Sequence, residues 1–126
     1  MTASDLATAY VMTAAQAADD KKAQDIVAFD VSDHVYITDI FLIASANNER
    51  QVGAIVDAIE EKMHLDHDAK PLRREGDRLN RWVLLDYGDI VVHVQHDEER
   101  TLYALERLWK DCPLVDLPGI GCGTYD

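Results

Sequence analysis

Three aspartates in this chain have the right chemistry for phosphoryl transfer. Asp39 precedes the apolar run Ile40–Ser45, and Asp86 and Asp89 flank Tyr87-Gly88. Carboxylates that converge on a divalent cation beside a phosphate-binding turn are what a nucleotidyltransferase needs. Ser45-Ala46-Asn47-Asn48 leads into an expected helix, where backbone N–H groups could hold a phosphate. That turn has no glycine, and no Asp-x-Asp pair follows on a strand, so the enzyme reading is the weaker one. His64, Asp66, His67 and Asp68 form a second candidate cluster, with the two imidazoles at i and i+3. Metal sites need oriented supporting partners, and a solvated helix end accounts for these four residues better. His93 and His96 have opposite strand parity, and no serine or cysteine nucleophile accompanies His93. No catalytic set, metal or cofactor is expected.

A different kind of site is expected in Arg81–His96, RWVLLDYGDIVVHVQH, which reads as a β-hairpin closing on Tyr87-Gly88. Pairing Asp86 with Asp89 sets Ile90 opposite Leu85, Val91 opposite Leu84, Val92 opposite Val83 and His93 opposite Trp82. One face is then Val83, Leu85, Ile90, Val92 and Val94, a core face. The other carries Trp82, Leu84, Asp86, Asp89, Val91, His93 and Gln95. Aromatic and aliphatic anchors edged by polar groups supply most of the energy of protein interfaces, so this second face is the expected partner surface. The plainer accounts are a half-buried tryptophan packed under a helix or across a dimer contact, and aspartates that merely suit a tight turn.

The elements that must position this face follow from periodicity. Ser4 caps a first helix over Asp5–Ala18, Gln24–Val31 alternates as a strand, and Ile40–Ser45 is an apolar run typical of a strand covered on both faces. Asn48 and Gln51 form a capping box for a helix over Glu49–Met63, carried by Val52, Ile55, Val56, Ile59 and Met63. The charged stretch His64–Asn80 is a surface connection with a short edge strand near Lys70–Arg73. After the hairpin, Asp97 caps a last helix with Leu102, Leu105 and Leu108 or Trp109 inward, stopped by Pro113. The order α-β-β-α-(β)-β-β-α makes an α/β or α+β domain, a mixed sheet of four to five strands with flanking helices. One domain is expected over residues 1–112, followed by a flexible tail over residues 113–126.

Whole-chain properties narrow the function classes. The chain has 126 residues, enough for one domain with a proper core, and a formal charge of −12. Such acidity opposes direct nucleic-acid binding and favours a basic protein partner. Cys112 and Cys122 lack metal-type spacing, and no stretch approaches membrane-spanning length, so a cytoplasmic protein with free thiols is expected.

Ordered blocks over Asp19–Asp111 carry a resemblance: KKAQDIVAFDVSD, ITDIFLIASANNERQV, RWVLLDYGDIVVHV, then EER and LERLW. The chain resembles the ribosomal silencing factor family, the Iojap-like proteins. The resemblance implies a nucleotidyltransferase-like core without that activity, a homodimer when off the ribosome, and a factor that docks on protein fourteen of the large ribosomal subunit. From there it would block joining of the small subunit when nutrients are scarce. Carried over, the partner surface centres on Trp82, Asp86, Tyr87 and Asp89, to which the face assignment adds Leu84 and His93. Ala46, Asn48 and the arginines Arg73 and Arg74 depart from the family pattern.

Overall fold

In the computed structural model, which describes residues 3–35, 37–76 and 79–120, every residue of β5 (Ile90–His96) is buried. It runs through the middle of a five-stranded sheet. β2 (Ile40–Ala46) lies parallel to it on one side and β4 (Trp82–Asp86) antiparallel on the other. β1 (Gln24–Asp30) pairs antiparallel with β2, and β3 (Arg73–Gly76) pairs antiparallel with β4, giving the order β1-β2-β5-β4-β3. The mixed sheet expected from sequence is therefore present.

Two helices cover one face. In α1 (Asp5–Asp20), Ser4 Oγ accepts from the Ala7 N–H at 3.0 Å, and buried Ala14, Ala15, Ala17 and Ala18 let the helix lie close to its neighbours. α2 (Glu49–His67) runs four residues past its expected end and buries Val52, Ile55, Val56, Ile59 and Met63. Asn48 Oδ1 caps it by accepting from the Gln51 N–H at 2.8 Å. Gln51 does not return the bond; its amide donates to the carbonyls of Lys21 and Lys22, at 3.0 and 3.2 Å. The capping pair thus fastens α2 to the turn after α1.

β1 splits between two cores. Ile26 and Ala28 join the helix-covered core, while Val27 and Phe29 join Val31, Ile43 and Cys112 on the other face. Phe41, Leu105 and Trp109 pack against this smaller cluster.

The hairpin register differs from the expected one. Leu84 lies opposite His93 and Trp82 opposite Gln95; the loop is Gly88-Asp89, closed by the Tyr87 N–H on the Ile90 carbonyl at 2.9 Å. Gly88 has φ +84°, the positive value that tight hairpin loops demand, and Asp86 Oδ1 accepts its N–H at 2.8 Å. Pairing has slipped by two residues, an even number, so the strand residues keep their expected faces, while Asp89, expected on the outer face, falls in the loop. The edge strand falls at Arg73–Gly76 rather than Lys70–Arg73, fully exposed and charged, which discourages further pairing.

The last helix is also different. His96, not Asp97, is its N-cap, its Nδ1 accepting from the Glu98 N–H at 3.1 Å. α3 (Asp97–Tyr103) stops at Ala104, whose φ is +45°, and a 3₁₀ segment, Leu105–Trp109, follows. The left-handed residue breaks the helical phase. Leu102, expected inward, is 73% exposed; of the alternatives Leu108 or Trp109, Trp109 packs on the smaller core and Leu108 is 69% exposed, while Arg100 and Glu106 are buried.

Residues 113–120, read from sequence as tail, lie along the outer edge of β1. Asp30 N–H donates to the Pro113 carbonyl at 2.8 Å, Val115 N–H to the Ala28 carbonyl at 2.9 Å, and Leu117 and Ile120 are buried in the main core. Cys112 is a buried free thiol; Cys122 lies outside the described residues. Among the described residues, no helix is long and apolar enough to cross a membrane.

Candidate functional site

The outer face of the hairpin holds an unbroken series of ring contacts. Tyr103 of α3 packs on Trp82 with centroids 4.8 Å apart, and Trp82 meets His93 at 6.0 Å. His93 in turn meets the Phe41 ring edge-on at 5.8 Å, and Phe41 meets Trp109 edge-on at 4.9 Å. Each such pair contributes about 0.5–1.5 kcal/mol beyond the area it buries. The series spans β4, β5, β2 and the 3₁₀ segment, so it holds the C-terminal elements to the sheet.

His93 is its hinge point. The Trp82 Nε1–H donates to His93 Nδ1 at 3.1 Å, which requires that nitrogen to be unprotonated. Burial acts in the same direction, pushing the imidazole down to about 4.

Beside the rings lies a groove of about 270 Å³. Phe41, Leu84, Val91 and His93 form its sheet side, and Leu105, Leu108 and Trp109 form the side contributed by the 3₁₀ segment. Ile37, 84% exposed, and Leu108 stand at the rim as apolar side chains facing solvent. Asp86 closes one end with Arg73, whose Nε lies 3.7 Å from Asp86 Oδ2. The arrangement can receive an apolar side chain and offer a carboxylate to a cation next to it.

Of the residues expected at a partner surface, Trp82, Leu84, Asp86 and His93 come together here. Tyr87 does not: it is buried in the helix-covered core on the opposite face, and burial raises its ionisation well above the ordinary phenol range. Asp89 sits half-exposed in the hairpin loop, its carbonyl accepting the Asp39 N–H at 3.0 Å. Sequence reasoning missed Ile37, Phe41 and Tyr103, and it left open whether Leu108 or Trp109 faced inward; Trp109 does. The LERLW run held the available signal, because its two leucines and tryptophan cannot all face inward once the helix breaks at Ala104.

The aspartates weighed for transfer chemistry have other duties. Asp39 Oδ2 accepts the Ser4 N–H at 2.8 Å, and Asp86 takes the Gly88 N–H. His67 Nε2 bonds the Thr13 hydroxyl at 2.8 Å and its ring packs on Tyr10, while His64 points to Asp68 at 3.6 Å. His67 thus docks α2 onto α1. Among the described residues, no group of three or more His, Cys, Asp or Glu is arranged to hold a metal ion.

Comparison with known proteins gives one consistent result. Residues 4–123 match the family described as ribosomal silencing factor during starvation, which extends the likeness beyond Asp19–Asp111 at both ends. The chain is similar to ribosomal silencing factor RsfS of Halalkalibacterium halodurans, 45% identical over 107 residues, covering 85% of this chain and 91% of that protein. It is similar to RsfS of Bacillus subtilis, 45% identical over 104 residues, covering 82% and 87%. A crystal structure of a Chromobacterium violaceum protein superposes with a TM-score of 0.77 at 29% identity, covering 91% of this chain and 92% of that one. By the extent of the family match and the identity to these relatives, the chain belongs to the ribosomal silencing factor (RsfS) family.

Proposed function

We propose that this silencing factor binds the large ribosomal subunit at its protein fourteen through the outer hairpin face, and so blocks joining of the small subunit under nutrient limitation. The factor works by occupancy, without a catalytic step or cofactor, in the cytoplasm. Trp82 and Leu84 provide apolar contact, Asp86 and the loop residue Asp89 take basic side chains, and His93 fixes the indole. Tyr87 serves from the core side by holding the loop. Off the ribosome the chain is a homodimer.

The observation that supports this reading most is the groove edged by exposed Ile37 and Leu108 and closed by Asp86, on a chain of charge −12. A basic protein surface with one apolar protrusion complements it in shape and charge. The test is co-sedimentation with purified large subunits and the yield of joined ribosomes. The native chain should co-sediment and lower that yield, and Trp82→Ala, checked by circular dichroism for folding, should do neither. Undiminished co-sedimentation by folded Trp82→Ala would remove this face as the contact.

A further inference from the structure

His93 has one polar atom that its contacts with Trp82 and Phe41 leave unused. The Trp82 indole N–H ends on its Nδ1 at 3.1 Å, so the neutral ring carries its single proton on Nε2. That tautomer makes Nε2 a hydrogen-bond donor. Phe41, whose centroid is 5.8 Å from that of the imidazole, supplies no acceptor beyond its ring face. Nε2 has no hydrogen-bond partner among the described residues, and it is not one of the fully enclosed polar atoms left without one. His93 as a whole is 9% exposed and lines the aromatic groove. The imidazole therefore offers its unused N–H to the groove.

The rest of the lining decides what can accept it. Phe41, Leu84, Val91 and Leu108 are apolar, and the Thr38 hydroxyl is fully enclosed. Charge lies at one end, where Arg73 is 3.7 Å from Asp86 and 3.7 Å from Glu75. An anionic acceptor would meet two carboxylates for one guanidinium, on a chain of charge −12. A cation has no lone pair to give the N–H. A purely apolar occupant would strand the N–H away from water. An uncharged acceptor on an apolar stem avoids all three conflicts.

Resting on the reading that this face meets a basic protein, we propose that the groove takes from that partner an apolar side chain together with an uncharged oxygen, a main-chain carbonyl or a side-chain amide, which accepts the His93 Nε2–H. His93 thus selects the occupant, and Trp82 sets the tautomer that does so.

The test begins with the full chain alone. Two-bond proton–nitrogen NMR spectra of the imidazoles at pH 7 should show His93 protonated on Nε2, and protonation on Nδ1 would overturn the proposal. Isobutyl methyl ketone, an uncharged acceptor on an aliphatic stem, should then move the Nε2 resonance and the amides of Leu84 and Val91. Isovalerate and isoamylammonium carry the isobutyl stem with an anionic and a cationic head, and should not. Silence towards the ketone, or an equal response to either ion, would overturn the proposal. A shift of Nε2 on concentrating the probe-free chain would put a second copy in the groove and overturn it likewise. His93→Phe keeps a ring between Trp82 and Phe41 but has no N–H, and should weaken both the ketone and co-sedimentation with large subunits about fivefold, the size of one uncharged hydrogen bond. Native ketone affinity in folded His93→Phe would dismiss the donor, and native co-sedimentation would dismiss the partner's oxygen. Because that change also strips the indole of its acceptor, Trp82→Phe serves as a second variant. It frees the imidazole, and should give a mixture of both tautomers and a weaker response to the ketone; a ring still held as Nε2–H would show that Trp82 does not set it. Failure of the native chain to co-sediment would remove the large-subunit reading, whereas the ketone titration, which needs no ribosome, decides this one by itself.

Discussion

Trp82 and His93 are diagonal neighbours on adjacent strands, and the indole N–H of the first ends on Nδ1 of the second at 3.1 Å. This bond fixes two things at once. It orients a half-buried tryptophan against Tyr103 on one side, and it holds a neutral imidazole edge-on to Phe41 on the other. If this face is the contact surface proposed above, it is preorganised, because Trp82 has already lost its rotamer freedom in the free protein.

Burial of the same imidazole makes stability depend on pH. His93 titrates at about 4 in the folded chain, against an ordinary value near 6.5. The unfolded chain therefore binds the extra proton more readily. Its contribution is fully present above pH 6.5 and is lost as pH falls towards 4, amounting to about 3 kcal/mol across that window. Urea unfolding at pH 7 and at pH 4.5 should show the difference, and His93→Gln, which keeps an acceptor but does not titrate, should show less of it. Equal pH dependence in the native chain and in His93→Gln would mean that other groups control acid stability.

The rim of the groove separates binding from folding. Ile37 and Leu108 are 84% and 69% exposed, so Ile37→Asp and Leu108→Asp should change stability by no more than about 0.5 kcal/mol. If large-subunit binding uses this groove, each should weaken it about tenfold or more, because a carboxylate would replace the apolar contact and crowd Asp86. Thermal melts and co-sedimentation on the same samples check both halves. Unaltered co-sedimentation in the double variant would place the contact elsewhere.

The hairpin faces were legible in the sequence because alternation has period two, and even a register slip by two residues leaves each side chain on its own side. Trp82, Leu84, Asp86 and His93 were accordingly grouped correctly, although the opposite pairs were not. The helices α1 and α2 announced themselves through Ser4, Asn48 and their apolar spacing. What could not be read was the C-terminal third of the site. A non-glycine residue in the left-handed conformation, Ala104, carries no sequence signature, and it resets the phase of the segment after it, in which Glu106 is buried and Leu108 exposed. Tyr87 was misplaced for a related reason: the loop is Gly88-Asp89, so Tyr87 still belongs to the strand pairing and points to the helix side.

The run after Pro113 offers the last prediction, because its composition suggested a tail and its contacts describe an edge. The free side of β1 would present the Asp30 N–H and the Ala28 carbonyl to solvent, and residues 113–115 take both. Leu114 bridges to Phe29, and Leu117 and Ile120 sit 6% and 7% exposed in the main core. Burying two such aliphatic side chains stabilises by about 3–6 kcal/mol as an upper bound. A chain ended after Cys112 should therefore unfold at lower denaturant by a comparable amount. It should also self-associate, since an uncovered strand edge templates pairing with another chain. Leu117→Asp in the full-length chain should reproduce much of the stability loss while keeping the edge covered, and so should remain monodisperse to a greater extent. Guanidinium unfolding together with light scattering distinguishes the two effects, and a truncated chain as stable as the full one would show that residues 113–120 add nothing to the fold.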